Sequence, residues 1–288
     1  PVYLRDVTVQ REGNIAIVTV RRPEFKNALC TQTVQELRKA FEQLDADPDV
    51  QGVVFTGFGG ALSGADINEF TRLTTREAAE EICRKAYPVQ KFIAGMKKPV
   101  VTAVNGPVMG GGAEFCMACH ARVVGPNLQF AQPEVNLGII PGYGATQRLP
   151  RIIGFEKALE LLRTARVVGA GEACALGWAY GEPSADPIRA AIDLINQHLT
   201  GKVKLAPVNP DPVTVPKPVP DINIGHRSLV IDAILVNTVT TGVQLPLDEG
   251  LLVEAKAFAD TKETLDADIG IKNFIQNGPR VPAAFMHE

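Results

Sequence analysis

No stretch of this 288-residue chain stays apolar long enough to cross a bilayer. The longest apolar runs, such as Ile15 to Val20 and Val100 to Val104, are strand-sized, whereas a membrane helix needs roughly 18 to 20 residues. Excess charge is also scarce: 29 Lys and Arg against 32 Asp and Glu leave a net charge of −3, without a basic cluster. That balance gives no general electrostatic reason to bind nucleic acid or an anionic membrane, so any anionic ligand must be held by local features. An RNA platform would show a basic face or exposed stacking aromatics, and aromatics are only 6% of the residues. The five cysteines (Cys30, Cys83, Cys116, Cys119, Cys174) are odd in number and irregularly spaced, which argues against a disulfide framework. Cys116 and Cys119 have CxxC spacing but lie in an apolar segment with no partner pair, so they read as buried small hydrophobes. Neither a dinucleotide GxGxxG nor a phosphate-binding GxxxxGK[ST] occurs in the right context, so neither NAD chemistry nor nucleotide hydrolysis is indicated. The segment Pro1 to Asp6 lacks a basic region followed by an apolar core, so the expected location is cytoplasmic, or an organelle matrix had a presequence been removed.

What is present reads as an α/β protein. Asn14 to Val20 alternates as a strand, and Thr31 to Leu44 carries apolar residues at helical spacing behind a threonine cap. Gly52 to Gly57 predicts a buried strand, followed by a glycine-rich loop and a helix from about Ile67. A second cycle comprises a helix over Glu77 to Met96, the strand Val100 to Val104, a helix around Glu114 and the strand Ala121 to Gly125. Strands alternating with helices predict a largely parallel sheet covered on both faces. Beyond about residue 155 helix dominates: Phe155 to Arg163, Ala170 to Leu176, Asp186 to Leu199, Ser228 to Thr240 and Glu249 to Ala259. Lys202 to Asp221 carries six prolines, which exclude regular helix or central strand and predict an extended surface strap. The expected division is an α/β core over 1–200, the proline-rich strap over 201–222 and a C-terminal helical region over 223–288.

Two glycine-bearing loops run from strand patterns into helix patterns: Gly59 to Asp66, and Asn105 to Glu114 with Gly110-Gly111-Gly112. Glycine lets a ligand approach backbone N–H groups closely, and a helix N-terminus favours developing negative charge. Glu114 follows the glycine triplet, and Glu134 sits in Gln132-Pro133-Glu134. Two carboxylates on separate loops beside backbone donors are the equipment for adding or removing a proton next to a carbonyl. The bland alternatives are a first-turn glutamate favoured by the helix dipole and a surface charge on a loop. Asp66 reads first as a cap for the helix starting at Ile67. His120, ending an apolar helix, reads as a packed or capping residue rather than a catalyst.

Several elements occur in one order: Arg22-Pro23-Glu24-Phe25-Lys26-Asn27-Ala28-Leu29, Gly64-Ala65-Asp66-Ile67, Lys98 to Gly106, Gly110 to Glu114, Gln132-Pro133-Glu134 and Pro141 to Leu149. In that order and spacing they resemble the crotonase superfamily, and within it the enoyl-CoA hydratases. The resemblance implies a repeated ββα core with a C-terminal helical region supplying trimer contacts, and a homotrimer or hexamer. It implies hydration of the 2,3-double bond of an acyl-CoA thioester, with no metal or redox cofactor, coenzyme A being part of the substrate. The oxyanion-hole amides fall on Ala65 and Gly111 and the catalytic carboxylates on Glu114 and Glu134, which are expected to act as a coupled pair. Lys26, Ala28, Ala65, Asp66 and Ile67 are the candidates for holding coenzyme A, with Lys26 near a phosphate. The pattern is broken at Ala61-Leu62-Ser63, at His120, where an aspartate is frequent, and at Tyr143 and Ala145. Tyr143 falls near the expected acyl group. Other expectations consistent with the motifs are hydration of a cyclic enoyl-CoA ring or double-bond isomerisation using Glu134 alone. A non-enzymatic binding protein is disfavoured because both glutamates are kept.

Overall fold

The computed structural model describes residues 4–64 and 66–288. In chain order the strands are β1 (Val7–Glu12), β2 (Ile15–Val20), β3 (Gly52–Gly57), β4 (Val100–Val104), β5 (Pro107–Met109), β6 (Ala121–Val124), β7 (Gln129–Ala131) and β8 (Val168–Gly169). The helices of the first half are α1 (Thr31–Ala46), α2 (Ile67–Phe70), α3 (Arg76–Gly95) and α4 (Gly111–Ala118). Those that follow are α5 (Ala145–Ile153), α6 (Phe155–Thr164), α7 (Ala170–Leu176), α8 (Pro187–Leu199), α9 (Leu229–Gly242), α10 (Leu247–Lys262) and α11 (Leu265–Asn277). The chain divides into two compact units, one of residues 1–66, 88–130 and 168–208, the other of residues 67–87, 131–167 and 209–288.

The first unit is built on a five-stranded sheet ordered β1-β2-β3-β4-β6. Only the edge strand β1 is antiparallel to its neighbour; β2, β3, β4 and β6 pair in parallel. All six residues of β3 and all five of β4 are buried, as expected for parallel strands covered on both faces. Alternation along β3 decides what each face meets. Val54 joins Ile15, Val101, Ala103 and Val123 against Ala191, Ile192 and Ile195 of α8. Phe55, on the other face, meets Phe41 of α1 edge-on at 6.2 Å between ring centroids. A shorter sheet, β5-β7-β8, completes this unit; Phe130 on β7 stacks on the buried Trp178 at 4.4 Å. The cap of α1 differs from the threonine expected: Cys30 is the N-cap residue and Thr33, at N3, completes the capping box.

The second unit is mainly helical. The segment from Asn209 to Asp221 forms no regular element, and two backbone hydrogen bonds tie it down, Val213 N–H to Val243 C=O at 2.6 Å and Leu247 N–H to Pro210 C=O at 2.9 Å. The turn at Glu134–Leu137 ends on Gly138, whose φ of +71° is left-handed. A Cβ there would come within 2.3 Å of the Asp266 carbonyl oxygen, so glycine is what lets α11 close over this turn. Helix α5, which periodicity did not indicate, forms despite Pro150 inside it.

Candidate active site

In the first unit the two glycine loops lie side by side. Leu62 forms a parallel bridge with Val108; its N–H donates to the Pro107 carbonyl at 2.8 Å and its carbonyl accepts the Met109 N–H at 2.9 Å. Gly64 has φ +101°, and a Cβ on it would lie 3.1 Å from the Met109 oxygen and 3.7 Å from the Gly111 nitrogen. The turn leading to residue 65 is thus pressed against the amide at the start of α4. Gly112 is constrained as tightly, since a Cβ would meet the Leu62 oxygen at 2.5 Å. Gly110, with φ 55°, caps α4, and Gly111 is its first residue. Glu114 sits in the first turn, 2% exposed, its N–H donating to the Gly110 carbonyl at 3.0 Å. The expected amide of Ala65 lies outside the described residues.

The Arg22–Leu29 loop is stitched to the same place. Buried Arg22 donates from Nη1 to the Ala28 carbonyl and from Nη2 to Asp66 Oδ2 at 3.1 Å, and its Nε lies 3.6 Å from Asp6. Asn27 accepts the Arg22 N–H at 2.8 Å and donates to the carbonyls of Phe58 at 2.8 Å and Ala61 at 2.9 Å. Leu29 and Asp66 exchange backbone bonds with this turn, Leu29 N–H to Gly64 C=O and Asp66 N–H to Leu29 C=O at 3.0 Å. Lys26, Ala28 and Asp66 are therefore brought together, with Lys26 exposed at φ 54° and Ala28 buried. Asp66 holds the Arg22 guanidinium, a role the sequence reading did not assign. Ile67 is the first residue of α2 and half-buried.

In the second unit Glu134 is 8% exposed. Its carboxyl group accepts from Gln132 Nε2, at 2.8 Å to Oε1 and 3.3 Å to Oε2. Burial is the largest influence on it and pushes its pKa up to about 8, helped by the charge of Glu254 and opposed by its own backbone N–H and by Gln132. At neutral pH this carboxyl keeps its proton, which makes it a donor. Glu254, on α10, is fully buried and is likewise raised, to about 7, again chiefly by burial. The two protons belong to the pair. Tyr143 is buried in the same unit, in the turn that precedes α5. The sequence reading missed Glu254, although a signal existed. Leu247, Gly250, Leu251, Glu254, Ala255 and Phe258 share the buried stripe of α10, so an acid stands at a core position of an amphipathic helix.

The enoyl-CoA hydratase/isomerase family model matches residues 10–199. The chain belongs to this family. It is 33% identical over 277 residues to the short-chain-enoyl-CoA hydratase of Clostridium acetobutylicum, covering 95% of each chain. With the crotonyl-CoA hydratase of Syntrophomonas wolfei subsp. wolfei the identity is 32% over 273 residues, covering 94% of this chain and 95% of that one. The fold matches the crystal structure of an enoyl-CoA hydratase from Mycobacterium avium subsp. paratuberculosis K-10 with a TM-score of 0.71 at 24% identity, over 99% of this chain and 100% of the other.

One family departure, His120, and the CxxC-spaced cysteines find structural explanations. His120 accepts the Val100 N–H on Nδ1 at 2.9 Å and lies 2.9 Å from the Ala94 carbonyl through Nε2; burial lowers its pKa, and the neutral ring with Nε2–H satisfies both neighbours. Cys116 and Cys119 are free and buried, and burial raises the Cys116 thiol, so they pack as apolar groups. Among the described residues no group of three or more His, Cys, Asp or Glu is placed to hold a metal ion. No described helix is long and apolar enough to cross a membrane.

Proposed function

We propose that this family member is a hydro-lyase, an enoyl-CoA hydratase that adds water across the 2,3-double bond of an acyl-CoA thioester. The observation that carries this reading is Glu134, a buried carboxyl group held by Gln132, in a chain whose relatives include a short-chain-enoyl-CoA hydratase and a crotonyl-CoA hydratase. In this reading the thioester oxygen accepts from the amides of Ala65 and Gly111, and the adjacency of the Gly64 turn and the Gly111 nitrogen supports it. Such donors are fixed before reaction and meet charge that appears only in the enolate-like transition state; losing one costs on the order of 100 to 1000-fold.

Glu114 holds the water and takes its proton as the water oxygen bonds to C3. Glu134 delivers its own proton to C2 as the enolate electrons return. The excess proton on Glu114 then passes through solvent to restore Glu134, so atoms and charge balance. Each carboxyl contributes about 100 to 10,000-fold. Coenzyme A is held by Lys26, Ala28, Ala65, Asp66 and Ile67, and Tyr143 borders the acyl group; no other cofactor takes part. Exposed Leu229, Leu252, Leu265 and Ile275 on α9, α10 and α11 support assembly of the helical region into a trimer or a pair of trimers.

The test is loss of the conjugated-thioester absorbance of crotonyl-CoA, run beside Glu114→Gln and Glu134→Gln. Rapid loss that either substitution abolishes supports hydration by this pair. No loss, with a 3-enoyl-CoA isomerised by a chain that needs Glu134 only, would replace hydration with isomerisation.

A further inference from the structure

Glu254 is a fully buried carboxylate to which the reaction above gives no part. It is held from three directions. Oε1 accepts the Thr146 backbone N–H at 3.2 Å and the Thr146 hydroxyl at 2.6 Å, and Oε2 accepts the Tyr87 hydroxyl at 2.7 Å. Helix α5 begins at Ala145 behind Gly144, which has no side chain to cap it. Glu254 therefore does for α5, from α10, what an N-cap side chain does locally. The Thr146 hydroxyl is itself steadied by Gln147 Nε2 at 3.1 Å, which also donates to the Thr238 carbonyl at 3.2 Å. The other end of the turn is pinned by packing, because a Cβ on Gly142 would lie 2.8 Å from Cys83 Sγ and 2.9 Å from Phe258 Cδ2. Tyr143 lies between these two clamps.

We propose that Glu254 is a positioning residue for the reaction: it caps α5 across helices and fixes the turn that carries Tyr143, in the same compact unit as Glu134. The inference rests on the proposed hydration for its functional meaning. The charged and titratable groups acting on Glu254 are Tyr87 from α3 and Arg148 from α5, and the Glu254 charge in turn raises Glu134. Asp232 on the neighbouring α9 is paired with Arg163 at 2.8 Å, and Asp266 on α11 accepts from the Ser228 hydroxyl and from the Met286 N–H at 2.7 Å. Two like charges buried in one unit cannot both ionise at ordinary carboxylate pH, so Glu254 helps keep Glu134 protonated where protonation of C2 needs it.

The experiment is a carbon-detected titration of glutamate side-chain carboxyl groups in the full chain, with signals assigned from Glu134→Gln and Glu254→Gln. The amide in Glu254→Gln still accepts from Thr146 and can donate to the Tyr87 hydroxyl. In that variant the Glu134 signal is expected to titrate lower than in the wild type, because the Glu254 charge that raises it is gone. The alkaline limb of kcat for crotonyl-CoA should move the same way, with KM changed less than about threefold. Tyr87→Phe, which deletes one donor and keeps the carboxylate, should raise the Glu254 titration and serves if Glu254→Gln does not fold. A Glu134 titration unmoved by Glu254→Gln, or a Glu254 titration unmoved by Tyr87→Phe, overturns the inference. If the wild type fails to hydrate crotonyl-CoA, the functional reading fails while the titration still decides whether the two carboxyls are coupled.

Discussion

The two compact units meet negative charge in opposite ways. Around Gly64 and Gly110 to Gly112 the first unit offers backbone N–H groups, packed so closely that a Cβ at Gly112 would strike the Leu62 oxygen at 2.5 Å. Around Glu134 and Glu254 the second unit offers buried carboxyls that hold protons, raised to about 8 and about 7. Amide dipoles do not titrate in the working range and need no reorganisation when charge appears. Acids in a shared low-dielectric setting do titrate, and near neutrality. Shape should therefore govern the backbone donors of the first unit, and pH the buried acids of the second.

The sharpest way to test that division is Glu134→Gln, expected to lower kcat for crotonyl-CoA by about 100 to 10,000-fold with little loss of folding; stopped-flow absorbance and a thermal melt on one sample check both halves. Next in size is Gly64→Ala, which places a side chain at φ +101° against the Met109 oxygen. It should cost roughly 100 to 1000-fold in kcat without moving any limb of the pH profile. A moved limb would blur the contrast between the units.

Arg22→Met should be a stability lesion. The guanidinium is buried between Asp6 and Asp66, and removing one partner of such a cluster costs about 3 to 5 kcal/mol, measurable by denaturant unfolding. The smallest effect concerns stability against pH. Glu134 and Glu254 have folded pKa values above the ordinary 4.5, so the native state holds more protons than the unfolded one between those limits. Their contribution is complete below about pH 4.5 and is lost as pH rises through 7 and 8, at about 1 kcal/mol per pH unit for each group. Unfolding free energy should fall from pH 6 to pH 9, and Glu134→Gln or Glu254→Gln should flatten that slope.

Much of this contrast was legible in the sequence, for identifiable reasons. The strands Ile15–Val20, Gly52–Gly57 and Val100–Val104 announce themselves because parallel strands buried on both faces are continuous apolar runs. The glycine triplet before Glu114 marks a loop entering a helix because only glycine tolerates that backbone and that crowding. The short strands β5, β7 and β8 were not legible, since two or three residues carry no periodicity. Helix α5 was hidden by Pro141, two glycines and Pro150, and it forms where tertiary contacts supply what local propensity lacks, Glu254 capping it from α10. Local pattern reads Asp66 as a cap and says nothing of Arg22, 44 residues away in sequence, whose guanidinium its carboxylate meets. No local pattern encodes such a pair. Glu254 itself was visible as an acid on a core stripe, but its partners Tyr87 and Thr146 lie 167 and 108 residues away.

The pH dependence of kcat for crotonyl-CoA hydration tests most directly whether Glu134 works as the proton donor. A rate that holds through neutral pH and falls as Glu134 loses its proton near pH 8 is the predicted result. A rate that rises through pH 8, as it would if the ionised form were the active one, would contradict it.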